Sequence, residues 1–488
     1  MAQGRWMPDH VLLHGDGIPG SYFWNGTTAH GTNSVGCPIH ITLHCHQRPL
    51  LATILFVECF SAVEPPRVVC AVDDLILLRV LLRTPTRRVT LNDYDYFVYC
   101  ANKRAPSLQL LERPHPFFTD DDVGLLRRGV NLYTIAALIS TSKYGVYDLH
   151  RFDSGAGEWS HTTVSLVAPQ DPVPLAFPLA AGAERLFYHL ITSTVLAIGG
   201  EGGTMAWVDL WHGILLCDVL HDQPTLRGVP VPLPMEMLGH GIDFCCPKPL
   251  RGITFINGKP GLEPCLRLVH LDADAVPIPL RSYEDASPDW AMRDWEVSIW
   301  SNHKMSNSYD DWQMDCKVKA SETSIRDKLK TKMLNAGLLS AGAAGAQPQR
   351  AFQNLLVSYP VLGIDEDVVY LQARVRYKDP KAFVVAIDTK NNTLLGAVEF
   401  ATETERGAGI VYFPSTINRF INPDDRVLPI TKVDEDDPES SQGEGTEHLK
   451  LFELVIKFPS LEESLNDGFA SIKLPSLEDE SLNDGNST

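Results

Sequence analysis

Between Val35 and Tyr99 the apolar positions come in short runs divided by proline and acidic turns. Ile39-His-Ile-Thr-Leu-His-Cys45 alternates strictly, Thr53-Ile-Leu-Phe-Val57 is continuously apolar, and Tyr94-Asp-Tyr-Phe-Val-Tyr99 resumes the alternation after Asn92-Asp93. A period of two puts every second side chain on one face of an extended chain, so these runs read as strands.

Further along, the runs pair up around turn residues. Tyr144 to Phe152 and Glu158 to Val164 flank Asp153-Ser-Gly-Ala-Gly157, and Ala206 to Trp211 is followed after Gly213 by Ile214 to Leu220, a polar turn at His221 to Pro224, and a run from Leu226. The same style returns from Cys265 to Pro279, and from Ala382 to Asp388 with Asn391-Asn392 before Leu394 to Phe400. Each is a strand, a turn and a return strand. Such units, apolar on both faces and irregularly spaced, predict a mainly β fold: a propeller-like closed array of small antiparallel sheets with long loops, in which neighbours cover the faces and closure protects the edges. A two-sheet sandwich with additions is the alternative.

One helix is predicted near 324–336. Ser324 and Asp327 offer a capping-box start, Ile325, Leu329 and Met333 recur at helical spacing, Arg326, Lys328, Lys330 and Lys332 fill the remaining surface, and Gly337 can end it. The Ser340-Ala-Gly-Ala-Ala-Gly-Ala-Gln-Pro-Gln stretch that follows has the composition of a flexible loop. The pattern divides the chain into an N-terminal extension (1–34), a β-rich body (35–421) and an acidic low-complexity tail (422–488). The tail carries a duplication, Pro459-Ser-Leu-Glu-Glu-Ser-Leu-Asn-Asp-Gly and Pro475-Ser-Leu-Glu-Asp-Glu-Ser-Leu-Asn-Asp-Gly. Its serine, proline and acidic residues offer too little apolar surface to offset ordering entropy, so the tail reads as mostly disordered. The leucine pairs Leu461/Leu465 and Leu477/Leu482 could anchor a short linear motif.

The net charge of −19 is unevenly placed: seventeen acids and five bases lie between Asn422 and Thr488, leaving roughly −7 for the body. An acidic chain repels phosphates and anionic lipid, and the small basic groups Arg83/Arg87/Arg88 and Arg127/Arg128 read as solvated surface, so neither nucleic acid nor membrane is expected as a partner. The first residues show no cationic stretch leading into an apolar one, and no apolar run approaches the roughly 20 residues that span a bilayer. Ten scattered cysteines without a C-x-x-C pair suit a reducing compartment. Cytoplasm or nucleus, rather than secretion, is the expectation.

Candidate chemistry is sparse. Gly15-Asp-Gly-Ile-Pro-Gly20 has the spacing of a dinucleotide loop but contains Pro19 and is followed by no helical pattern. Gly199-Gly-Glu-Gly-Gly203 lacks the lysine and hydroxyl of a phosphate loop and reads as a turn. Neither a G-x-S-x-G elbow nor an H-E-x-x-H pair occurs. Asp120-Asp-Asp122 and Asp310-Asp311 lack calcium-loop spacing and read as loop charges. The strongest cluster is Cys37, His40, His44 and His46: on a strand, the three imidazoles share one face and could hold a metal. Their spacing matches no zinc-finger pattern, and a strand whose polar face meets solvent or a loop is the simpler reading. No catalytic residue, cofactor or metal is therefore expected.

Ala206-Trp-Val-Asp-Leu-Trp-His-Gly-Ile-Leu-Leu-Cys-Asp-Val-Leu220 resembles a plant family, expanded in grasses, known as domain of unknown function 1618. Val69 to Val80, Asp95 to Tyr99, Val123 to Gly129, Tyr147 to His150, Asp311 to Cys316 and Asp367 to Leu371 extend the resemblance from about Pro38 to Phe420. The family usually has a basic residue where His212 stands, and the duplicated tail is not a family feature. The resemblance implies hairpins in the style of kelch-like and F-box-associated propellers, and it transfers no catalytic residue. The expected role is a monomeric, non-enzymatic scaffold or adaptor for unidentified protein partners. The alternative is an enzyme or small-molecule sensor with its site in the central channel.

Overall fold

The computed structural model describes residues 11–20, 24–46, 52–62, 64–82, 93–111, 118–143, 145–167, 189, 191–232, 246–258, 263–278, 289–340, 351–364, 367–376, 379, 381–401 and 412–422. The acidic tail from 423 onward, the alanine–glycine segment at 341–350 and Arg83, Arg87 and Arg88 lie outside them.

The alternating runs become strands that pair locally before they pair at a distance. Blade one contains β1 (Val11–His14), β2 (Ile18–Pro19), β3 (Ala29–Thr32), β4 (Pro38–His46) and β5 (Ala52–Glu58). Blade two is β6 (Arg67–Val72), β7 (Leu75–Leu81), β8 (Tyr94–Cys100) and β9 (Ser107–Leu111). Blade three is β10 (Val123–Gly129), β11 (Leu132–Ser140), β12 (Val146–Asp153) and β13 (Glu158–Ser165). Blade four is β14 (Thr194–Gly199), β15 (Thr204–Asp209), β16 (Gly213–Asp218) and β17 (Leu226–Pro230). Blade five is β18 (Arg251–Ile256), β19 (Cys265–Ile278), β20 (Asp289–Asn302) and β21 (Trp312–Lys319), and blade six is β22 (Leu356–Leu362), β23 (Val368–Arg374), β24 (Lys381–Asp388) and β25 (Thr393–Ala401). Blades two to six are four-stranded antiparallel meanders in sequence order.

A last strand, β26 (Tyr412–Ser415), pairs antiparallel with β1, from Val11 opposite Ser415 to His14 opposite Tyr412. This joins the end of the described chain to its beginning, and β1 in turn pairs parallel with β5. The first strands of successive blades lie side by side, β6 with β10, β10 with β14, β14 with β18 and β18 with β22, while β26 touches both β22 and β6. The result is a β-propeller, as the hairpin pattern predicted, and it has six blades. Strand structure begins at Val11, ahead of the position 35 that the pattern suggested, because β1 to β3 are short and β1 and β2 pair with strands distant in sequence.

Each blade is apolar on both faces, so the cores lie between blades. Val69, Leu75 and Leu77 meet Val123, Ile135 and Phe152 between blades two and three, and Ala136, Leu149, Met205, Trp207 and Leu215 fill the space between blades three and four. Each fully buried side chain of this size stabilises the fold by about 1.5–3 kcal/mol relative to exposure. Close approach of the inner strands is allowed by glycine. A methyl group at Gly252 would run into the carbonyl of Pro360, and one at Gly124 into Val195 and Met205. Blade six answers with a bulge between Ser358 and Val361, where Tyr359 takes φ 54° and donates its N–H to the Pro249 carbonyl at 2.8 Å.

The helix, α1 (Asp327–Asn335), begins two residues later than a cap at Ser324 would place it. Arg326 occupies the N-cap position without a side-chain bond. Ser324 instead shares a hydrogen bond with Thr393 Oγ1 at 2.8 Å, because its segment is held against the β24–β25 turn. Met333 is buried in the blade-five and blade-six core with Ile325 and Leu329 beside it. Gly337 ends the helix with φ +75°.

Candidate functional site

β4 carries the suspected metal cluster, and the structure separates its members. Ile39, Ile41 and Leu43 face the core between blades one and two and are fully buried. The opposite face is not uniformly wet. His44 is buried and stands edge-on to Phe56, with ring centroids 4.9 Å apart. His40 is half-buried near the rim of the blade. Cys37 lies in the preceding turn, where its N–H donates to Asn33 Oδ1 at 2.8 Å, and the side chain of His46 is outside the described residues. Among the described residues no three His, Cys, Asp or Glu side chains are already arranged around a point that a metal could occupy.

What His40 does meet comes from the neighbouring strands. In register, His30 on β3 stands opposite His40 on β4, and His40 stands opposite Glu58 at the end of β5. Directly opposed side chains in an antiparallel pair share a face, with Cβ atoms about 5 Å apart. The two Nδ1 atoms are 2.7 Å apart, so one ring donates and the other accepts. Trp24 lies against both imidazoles, at 5.0 Å from each centroid, and donates its indole N–H to Glu58 Oε2 at 3.4 Å. The row Trp24, His30, His40, Glu58 was illegible in the sequence because it requires the pairing register. Only His40 carried a local signal.

At the same end of blade one, two turns are tied together. The Asn33 side chain donates to Ser61 Oγ at 2.6 Å, and the Ser34 N–H donates to Asp95 Oδ2 at 2.7 Å. These bonds leave Val35 59% exposed and Phe60 88% exposed, with Trp24 at 58%. A shallow depression lined by Trp24, His40, Thr42, Phe56 and Glu58 lies beside them, and another lies near Thr27, Tyr99 and Phe420. Neither encloses the roughly 300 Å³ at which pockets begin to hold a small molecule.

A second polar assembly is buried where blade four meets blade five. Asp209 closes the β15–β16 turn: its Oδ1 accepts the N–H groups of Trp211 (3.0 Å) and His212 (3.2 Å), and its Oδ2 pairs with His212 Nδ1 at 2.9 Å. Arg251, at the start of β18, is 1% exposed. It donates to the Leu210 carbonyl at 2.6 Å, to the Pro232 carbonyl, and through Nε to His270 Nδ1 at 3.3 Å, and its guanidinium lies 5.2 Å from the Trp211 ring centre. Burial draws this guanidinium down to about 9, and burial followed by the charge of Arg251 pushes His270 down to about 3. His270 is thus a neutral acceptor for a charged donor. The arrangement clamps two blades together, and Trp207 adds a bond from its indole N–H to the Asp122 carbonyl of blade three at 2.8 Å.

Other motifs resolve into structure. Gly15-Asp-Gly17 is a break between β1 and β2, with Gly17 N–H donating to the Pro66 carbonyl at 2.5 Å, and no helix follows. Gly199 to Gly203 is the β14–β15 turn, with φ positive at Gly199, Gly200 and Gly203. Asp120 pairs with Arg79 at 2.9 Å and Asp121 with Lys248 at 2.6 Å, the latter linking the segments that lead into blades three and five. Arg127 and Arg128, read as solvated surface, instead pair with Asp74 and Asp153, each at 2.7 Å, because the turn carboxylates of neighbouring hairpins reach them. Burial pushes the Cys70 and Cys217 thiols up to about 12, which leaves them unreactive at neutral pH. No helix among the described residues is long and apolar enough to cross a membrane.

No curated protein matches the chain. Residues 207–370, from Trp207 on β15 to Tyr370 on β23, match the model of a family described as a protein of unknown function (DUF1618), which is the family the Ala206 to Leu220 motif resembles.

Proposed function

We propose that this protein is a non-enzymatic interaction scaffold or adaptor whose contact surface lies on blade one. The observation that carries the reading is the exposure of Phe60, Val35 and Trp24 at one end of a rigid blade. Large apolar side chains gathered in this way mark docking surfaces, and aromatic residues dominate the energy of such contacts. The Asn33–Ser61 and Ser34–Asp95 bonds hold both turns in place before a partner arrives, which lowers the entropic cost of association. In the same reading, the acidic segment after Asn422, with its duplicated leucine-bearing motif, is a separate linear contact element.

The test is quantitative proximity labelling with the full chain beside Phe60→Asp/Val35→Asp and a control, Val130→Asp, at an equally exposed site on blade three. The reading expects a set of partners lost in the double variant and kept in the control. An identical partner set in all three would sink it. A chain ending at Asn422 separates partners of the tail from those of the body.

A further inference from the structure

We propose that His30, His40 and Glu58 form a surface site for a divalent transition-metal ion of the zinc, copper or nickel class. Three neighbouring strands present these donors in one cross-strand row, His30 opposite His40 and His40 opposite Glu58. Two imidazoles and one carboxylate are the donor set such ions prefer, whereas magnesium and calcium seek oxygen alone.

The contact between the rings fixes how the ion enters. The Nδ1 atoms lie 2.7 Å apart with one proton between them. A tetrahedral ion at about 2.0–2.1 Å from each nitrogen needs them about 3.3 Å apart. The rings therefore open by roughly half an ångström, through side-chain rotation at a half-exposed site, and the backbone pairing need not move. As the ion replaces the shared proton, the donating ring carries its proton on Nε2 instead. Both imidazoles stay neutral and two metal–nitrogen bonds replace one hydrogen bond. Glu58, whose carboxylate meets the Trp24 N–H at 3.4 Å and neither imidazole, turns toward the ion to supply the negative charge, and water completes the coordination on the open side.

Trp24 is the positioning residue. Its indole lies 5.0 Å from both ring centres and its N–H points to the Glu58 carboxylate at 3.4 Å. It limits the rotamers of all three donors and shields one side of the site from solvent, as outer-shell partners of metal ligands do.

The site does not depend on the docking role, and the two fail separately. The experiment titrates zinc chloride into the metal-stripped full chain by calorimetry, and follows copper(II) by the visible absorption of its nitrogen-ligated form. The wild type is expected to take up one saturable equivalent at this site. His30→Gln and His40→Gln each weaken it by about tenfold or more, Glu58→Gln and Trp24→Phe by less. His161→Gln, on the cross-strand His150–His161 pair of blade three, leaves it unchanged. Glutamine keeps the size and polarity of these side chains, and coincident melting curves confirm that the variants are folded. Absence of saturable binding in the wild type, or equal binding in a His30→Gln/His40→Gln double variant, overturns the proposal.

Discussion

Blade one and the junction of blades four and five use the same kinds of side chain, imidazole, indole and carboxylate, to opposite ends. At the junction, Asp209, His212, Arg251 and His270 are all less than a tenth exposed, and Asp209 bonds His212 while Arg251 bonds His270 and the Leu210 carbonyl. On blade one, Trp24 and His30 are exposed, and His40 and Glu58 are half-exposed. Burial turns a polar group into a structural commitment, because an unpaired polar atom in the interior costs far more than one that water can reach. Exposure leaves the same groups available to a ligand or partner, at little benefit to the fold. The comparison teaches that residue type does not separate a clamp from a site. Solvent access does.

The sharpest way to break this contrast is Arg251→Met. It leaves the Leu210 and Pro232 carbonyls without their buried donor and is expected to cost about 2–5 kcal/mol, read from urea denaturation. A loss below about 1 kcal/mol would mean that the junction is not a clamp.

Acid tests the same region. Burial, and then the charge of Arg251, hold folded His270 down at about 3, below the ordinary 6.5 of an imidazole, so the native state keeps it neutral. Its contribution is fully present above pH 6.5 and is lost as the pH falls toward 3, because the unfolded chain binds the proton first. Roughly 2 kcal/mol should disappear between pH 6.5 and pH 5 for this group. His189, pushed down to about 4 chiefly by burial, acts in the same direction. His270→Gln should therefore show a shallower loss of stability over that interval, and an unchanged slope would remove His270 as its source.

Gly252→Ala probes the adjoining seam between blades five and six. The added methyl meets the Pro360 carbonyl, and the expected cost is about 1–3 kcal/mol in the same denaturation experiment. On blade one the expectation is nearly flat: His30→Ala and Phe60→Asp should each change stability by no more than about 0.5 kcal/mol in thermal melts. A larger loss from either would show that blade one spends these side chains on folding, and would weaken both roles proposed for it.

Much of the architecture was legible before any pairing was known. The turns at Asp153–Gly157 and Asn391–Asn392 mark β12–β13 and β24–β25, and the run from Ala206 to Leu220 marks β15 and β16. The helix was visible through Leu329 and Met333, but its start shifted because Ser324 bonds Thr393, which lies far along the chain. The candidate site was less legible. His40 was singled out with Cys37, His44 and His46, yet its neighbours are His30 and Glu58, and His44 is covered by Phe56. Arg251 gave no signal, since a lone arginine at the start of a strand looks like any surface cation.

The sequence by itself determined the β class, the hairpins, the helix and the concentration of negative charge after Asn422. These depend on periodicity, turn chemistry and composition, which act over a few residues. Only the tertiary structure decided that there are six blades, that β26 returns to β1, that His30 and Glu58 flank His40, and that Arg251 is buried. Each of those outcomes rests on which distant strands lie side by side and in what register. A shift of one residue would turn His40 to the opposite face, so the register that closes the propeller also creates the row on its surface.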